Sequence, residues 1–277
     1  MKTASPRPLR YVLLWLSAAL LLIGCASGQP AKRDQLLQNL DQMVDQGIQD
    51  ARRNLARNPA GMASEILEQL QQTQRYVAHA EQDPTAFDAE EMLRLTQKTM
   101  ALIENLKQDF QLVVRTDVGF RLGGYRPNHL LADGKAILDA FADRILTVQL
   151  AEYRKQFPDA PLRIVIVTRG YADEIAPNKD FARALLPQTA DVLPPTDPER
   201  RRFLNQRLSL RRSQTINAYI RRRLERRLTA PNVEIGPPVI EGHGEALPEP
   251  RDGLQPPYRK KDPRRRICKV YSKLVIP

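Results

Sequence analysis

The spacing of apolar residues changes period at Gln111, and that change divides the chain into two folding problems. Before it, Leu36, Leu37, Leu40, Val44, Ile48 and Leu55 form one stripe, and Ile66, Leu67, Leu70 and Val77 a second. Met92, Leu95, Leu102, Ile103, Leu106 and Phe110 form a third. Each follows the i, i+3, i+4, i+7 spacing that lines one face of an amphipathic helix. Asn58-Pro59 and Asp83-Pro84 separate the stripes, because the residue before a proline is pushed out of the helical region. Residues 33–110 are therefore expected to form a helical hairpin or three-helix bundle. A helix of about 25 residues is roughly 37 Å long, so this region either has the reach of a spacer or serves as a packing extension of the next domain.

Residues 111–277 are mixed. Val114, Thr116, Val118 and Phe120 alternate as in a half-buried strand, which Gly123-Gly124 and Pro127 end. Asp133 is placed to cap a helix carrying Ile137, Leu138, Phe141, Ile145 and Val148. Beyond Pro158 and Pro161, Leu162 to Val167 reads as a central strand. A polar, proline-bearing stretch runs to about Arg202, and a second helix carries Leu208, Ile216, Tyr219, Ile220, Leu224 and Leu228. Val233 to Ile240 and Ile267 to Val275 read as the last two strands. The order β-α-β-α-β-β predicts an α+β sandwich, with helices on one face of a small mixed sheet.

The first residues bear on compartment. Lys2, Arg7 and Arg10 precede an apolar run from Tyr11 to Leu22, which is short for a bilayer core of about 30 Å. A secretory leader over residues 1–24 is the expectation. The run ends in Leu22-Ile23-Gly24-Cys25, which resembles the lipobox of bacterial lipoproteins. That resemblance implies alkylation of the Cys25 thiol by diacylglycerol, then acylation of its freed amine by a chain such as palmitate. Two or more chains anchor durably where one does not. Ala26, rather than an aspartate, implies sorting to the outer membrane, facing the periplasm, with residues 25–32 as a short tether. Loss of the leader removes three of the 43 Lys and Arg residues and no acid, so the net charge falls from +11 to +8. Such a chain suits an anionic partner. Cys268 is the only other cysteine, so an internal disulfide is not expected.

Four pieces in the second part stand in a recognisable order. They are Gly170-Tyr171-Ala172-Asp173, Asn205-x-x-Leu208-Ser209-x-x-Arg212-Ser213, Gly242-His243-Gly244-Glu245-x-x-Pro248, and Arg264-Arg265-Arg266-Ile267. Together they resemble the OmpA C-terminal-like family of peptidoglycan-binding modules, over roughly Val114 to Val275. The resemblance implies a non-enzymatic module, without cofactor, that holds the diaminopimelate of a stem peptide. Carried over by position, Asp173 is the acceptor for the ligand's ammonium and Arg212 the clamp for its carboxylate. Asn205 braces the loop, and Arg265 or Arg266 supports the rim. The sequence departs from the family in the separation of 32 positions from Asp173 to Asn205, which makes residues 174–204 an insertion, and in Ala172 and Ala176. Asp197, eight residues before Asn205, is the alternative acid.

Other signals point to no chemistry. Gly242-His243-Gly244-Glu245 lacks the strand-to-helix setting of a phosphate loop, and His79 and His129 sit in no ligand-like cluster for a metal. No nucleophile–histidine–acid pattern or Gly-x-Ser-x-Gly stands out, so catalysis is not expected. The arginines of 200–227 come with only Phe203 and Tyr219 as aromatics, which argues against nucleic acid. Cys268 is expected to be a buried structural thiol. Two function classes remain: a tether between outer membrane and wall, and a scaffold lipoprotein that meets protein partners in an envelope secretion or motility complex.

Overall fold

The computed structural model describes residues 30–57, 63–107, 110–186, 194–248 and 257–277. Cys25 and the leader lie outside the described residues. The chain forms two units, Met1–Lys107 and Gln108–Pro277.

In the first unit, α1 spans Pro30–Arg57, α2 Ala63–Gln82 and α3 Ala89–Lys107. The apolar stripes become one core in which Leu37, Leu40, Val44, Leu70, Val77, Met92 and Leu102 are buried. Gly47 lets the helices approach, since a Cβ there would lie 3.1 Å from both Ile103 and Leu70. Asp83 and Asp88 punctuate the chain as caps, accepting from Thr85 N and Glu90 N at 2.9 and 2.8 Å. Helix α1 starts at Pro30, inside the stretch expected to be a tether; proline is well suited to a first helical turn, where its missing N–H has no intrahelical partner.

The second unit is mixed α+β, built on a small mixed sheet of five strands. Its elements are β1 (Gln111–Arg115), α4 (Ala132–Arg144), α5 (Leu150–Gln156), β2 (Leu162–Gly170), α6 (Lys179–Leu185), α7 (Asp197–Arg227), β3 (Val233–Ile235), β4 (Val239–Gly242) and β5 (Ile267–Val275). The strands run β1-β5-β2-β3, and β4 also pairs with β2. β5 is antiparallel to β1 and β2, whereas β3 and β4 lie parallel to β2. Leu138, Phe141, Ile145, Ile164, Ile166, Ile216, Ile220, Leu224 and Leu274 are buried in this unit. Asn217 on α7 is tied to the central strand by bonds from Nδ2 to Ile166 O and Thr168 Oγ1, at 3.0 and 3.1 Å.

Several local expectations are corrected. Phe110 closes no helical stripe: it lies in the second unit, where its carbonyl accepts from Ser272 N at 3.0 Å. The first strand stops at Arg115, and Thr116–Gly119 forms a helical turn, because Thr116 N and Oγ1 both donate to Arg266 O. Asp133 sits inside the first turn of α4, where its charge suits the helix dipole, while Leu131 takes the cap position. Ile137 and Val148 are exposed, at 38% and 45%. A π-helical turn over Ile145–Gln149 inserts extra residues and rotates the inward face, so that Gln149 and Leu150 are buried instead. Gln149 answers its burial through Ser272, whose Oγ donates to Oε1 at 2.7 Å and whose carbonyl accepts from Nε2 at 3.0 Å. The predicted strand Val233 to Ile240 is two strands, because Pro237 and Pro238 between them have no N–H for the ladder. Helix α7 begins at Asp197, well before Arg202: Thr196 and Glu199 form a capping box there. Among the described residues, no helix is long and apolar enough to cross a membrane.

Candidate functional site

The site grows from the end of β2. Gly170 is its last residue, and a Cβ there would run into the Ser209 carbonyl on α7 and lie 2.5 Å from Ser213 Oγ. Gly242, closing β4, is just as confined: a Cβ there would lie 2.7 Å from Leu210 N. The two strand ends therefore rest directly against α7, and the loops that leave them run past Asn205, Ser209 and Arg212. Gly244 N donates to Ser209 Oγ at 2.9 Å, and Ala172 N to Gly244 O at 2.7 Å, which joins the two loops.

Asp173, Asn205, Arg212 and Arg266 line one cavity of about 260 Å³. The remaining wall is largely apolar, with Leu122, Ile175, Pro177, Phe181 and Leu208. Asp173 is only 4% exposed. Its Oδ2 accepts from Arg266 Nε at 2.9 Å, and its Oδ1 from Ile175 N at 3.3 Å. Arg212 is equally buried, donating from Nε to Gly124 O at 2.9 Å and from Nη1 to Thr116 Oγ1 at 3.1 Å, with its guanidinium 5.9 Å from the centre of the Phe120 ring. Burial, joined by the like charge of Arg266, brings the Arg212 guanidinium down to about 10, against the pull of Asp173 and Asp117. It therefore keeps its charge at neutral pH.

Asn205 donates from Nδ2 to the Asp173 carbonyl at 2.9 Å and to Glu245 Oε1 at 2.8 Å, so it holds the Asp173 loop to the loop after β4. Glu245 also takes a two-pronged pair from Arg201 at 2.8 and 2.9 Å, and this bond raises the Arg201 guanidinium above its ordinary value. Arg265 does not line the cavity. It is 3% exposed, paired through Nη1 with Glu174 Oε1 at 3.1 Å and through Nη2 with the Glu245 carbonyl. Asp173 and its neighbour Glu174 thus serve different surfaces: Glu174 lines a separate polar cleft of about 430 Å³ with Arg201, Arg202, Gln206 and Glu245.

Asp197 lies apart from this arrangement. It occupies the first turn of α7 with a side chain 95% exposed, paired with Arg200 at 3.2 Å, and it is not among the cavity-lining residues. The insertion contributes instead through its first part, as Ile175, Ala176, Pro177, Asn178 and Phe181 build one wall. Gly123 has φ +71°, and a Cβ on it would lie 2.5 Å from the Phe181 ring, so the opposite lip is open only to glycine. Sequence reasoning did not assign Thr116, Gly124, Phe181 or Arg201. Glu245 stood in a quoted motif, but without a role. Among the described residues, no three His, Cys, Asp or Glu come together to hold a metal.

No protein-family model matches the chain, and no curated protein matches it.

Proposed function

We propose that the chain is an outer-membrane lipoprotein whose second unit holds peptidoglycan stem peptides without cutting them, in the manner of the OmpA C-terminal-like modules its motifs resemble. The observation that supports this reading best is the convergence of Asp173, Asn205, Arg212 and Arg266, drawn from three separate motifs, on one cavity. A buried guanidinium that stays charged is a strong partner for a carboxylate in a surround of low polarity. In this reading Cys25 carries the acyl chains and the helices of the first unit act as spacer.

The test is sedimentation of the purified chain with peptidoglycan sacculi, competed by free meso-diaminopimelate. Co-sedimentation that the competitor abolishes supports the reading, and failure to sediment sinks it. The scaffold reading draws on a different feature: Arg211, Arg222 and Arg226 are exposed on α7 without a carboxylate partner among the described residues. They offer an acidic protein a docking face. Crosslinking in cells separates the two, since a scaffold traps one dominant protein and a tether traps the wall.

A further inference from the structure

A ligand carrying both an ammonium and a carboxylate has one obvious way to meet a cavity with both an aspartate and an arginine. The hydrogen bonds here oppose that symmetry. Both oxygens of Asp173 already accept, Oδ2 from Arg266 Nε at 2.9 Å and Oδ1 from Ile175 N at 3.3 Å, and its side chain is 5% exposed. Arg212 differs. Its Nε and Nη1 are engaged by Gly124 O and Thr116 Oγ1, while Nη2 makes no hydrogen bond to a described residue. Asn205 Oδ1 also lacks a partner, but it is buried and so is not presented at the cavity surface.

The charge of the lining follows the same direction. Asp173 faces Arg212 and Arg266, which leaves the cavity with an excess of positive charge. The walls supplied by Leu122, Ile175, Pro177, Phe181 and Leu208 favour methylene groups over anything hydrated. An ammonium entering here loses its water and gains only a carboxylate already paired, whereas a carboxylate gains the open prong of Arg212.

We propose that the cavity reads the carboxylate and methylene chain of its ligand and not the ammonium, and that Arg266 is the specificity-determining residue because it keeps Asp173 occupied. The proposal rests on the wall-binding reading for the ligand it names. Pimelate is diaminopimelate without its amines, and pentane-1,5-diamine is diaminopimelate without its carboxylates, with the two amines at the same spacing. The three separate the contributions cleanly.

The experiment follows the Arg212 Nε–Hε resonance of the full chain by NMR while each of the three compounds is titrated at pH 7. Salt of about 0.15 M screens general attraction of a dianion to a basic protein. Pimelate is expected to bind within about threefold of meso-diaminopimelate, and the diamine at least about tenfold more weakly, the scale of one charge-assisted hydrogen bond. Arg266→Gln releases Asp173 and is expected to favour meso-diaminopimelate over pimelate by about tenfold relative to the unaltered chain. A preference of that size for diaminopimelate in the unaltered chain overturns the proposal, as does a resonance that none of the three moves. An unchanged ratio in folded Arg266→Gln removes Arg266 from the role; should that variant not fold, the ratio in the unaltered chain decides. Sacculus sedimentation with pimelate as competitor keeps the two readings apart. Retention that pimelate leaves intact sinks the carboxylate reading and spares wall binding. No retention, with Arg212 shifted by pimelate, does the reverse.

Discussion

Arg266 Nε and Asp173 Oδ2 meet at 2.9 Å across 93 residues of sequence, joining the start of β5 to the loop after β2. Asp173 is buried, so this pair does more than a surface ion pair does: without its partner, the carboxylate is left in a poorly solvated site.

Arg266→Ala is therefore expected to cost about 3 kcal/mol, toward the low end for breaking a buried pair because Arg266 itself is partly exposed. The double variant Asp173→Ala with Arg266→Ala should cost less than the two single changes added, with a coupling of about 1–2 kcal/mol. Urea denaturation of the four proteins checks this, and additivity would remove the pair from the account.

Arg212→Lys keeps a positive charge but not the planar fork that serves Gly124 O and Thr116 Oγ1 together. The expected loss is about 2–3 kcal/mol of stability from unmade buried hydrogen bonds. Sacculus retention should fall at least about tenfold under conditions where the variant is fully folded. Circular dichroism with sedimentation separates the two effects, and full retention by a folded variant contradicts the clamp.

Asp262 supplies the clearest pH dependence. Hydrogen bonds from the Arg264 side chain, and then from its backbone N–H, hold this carboxyl down to about 2. The folded value lies below the unfolded one, so the stabilisation is fully present above about pH 4 and is lost as the pH falls toward 2. Arg264 is half exposed and solvent screens the pair, so the contribution is small. Urea midpoints for Asp262→Asn and the unaltered chain should differ at pH 5 and converge at pH 2; a constant gap contradicts this.

Cys268 lies on β5, fully buried, and burial pushes its thiol up to about 12. In a Cys25→Ser chain, which leaves Cys268 as the only thiol, Ellman's reagent should react no faster than the protein unfolds. Rapid labelling in native buffer would show that the sheet opens around β5, between β1 and β2.

The second unit exposes the limits of pattern reading at identifiable residues. β5 is read correctly at both ends, since Ile267, Cys268, Val270, Tyr271, Leu274 and Val275 make a mostly apolar stretch between the arginines at 264–266 and the proline at 277. The helical phase through Leu138, Phe141 and Ile145 is also visible, but it fails at Val148. A π turn changes the register there without a local signal, and it persists because Gln149 finds Ser272 across the core, 123 residues away. Thr116 similarly alternates like a strand residue, yet the carbonyl of Arg266 takes both of its donors and turns the chain.

By itself, the amino-acid order determined which stretches can bury a face, where prolines and glycines break them, and which motif residues deserve to be grouped. Local sterics and hydrophobic spacing are sufficient for that, because both act over a few residues. Only the tertiary structure shows Asp173 lining the cavity and Asp197 standing on an exposed helix start. It alone decided that Arg266 lines the cavity while Arg265 is held by Glu174 and Glu245, and that Phe181 closes one wall. These outcomes depend on which side chains meet across tens of residues. Pairing of charges out of water is set by that meeting, which no short window of sequence contains.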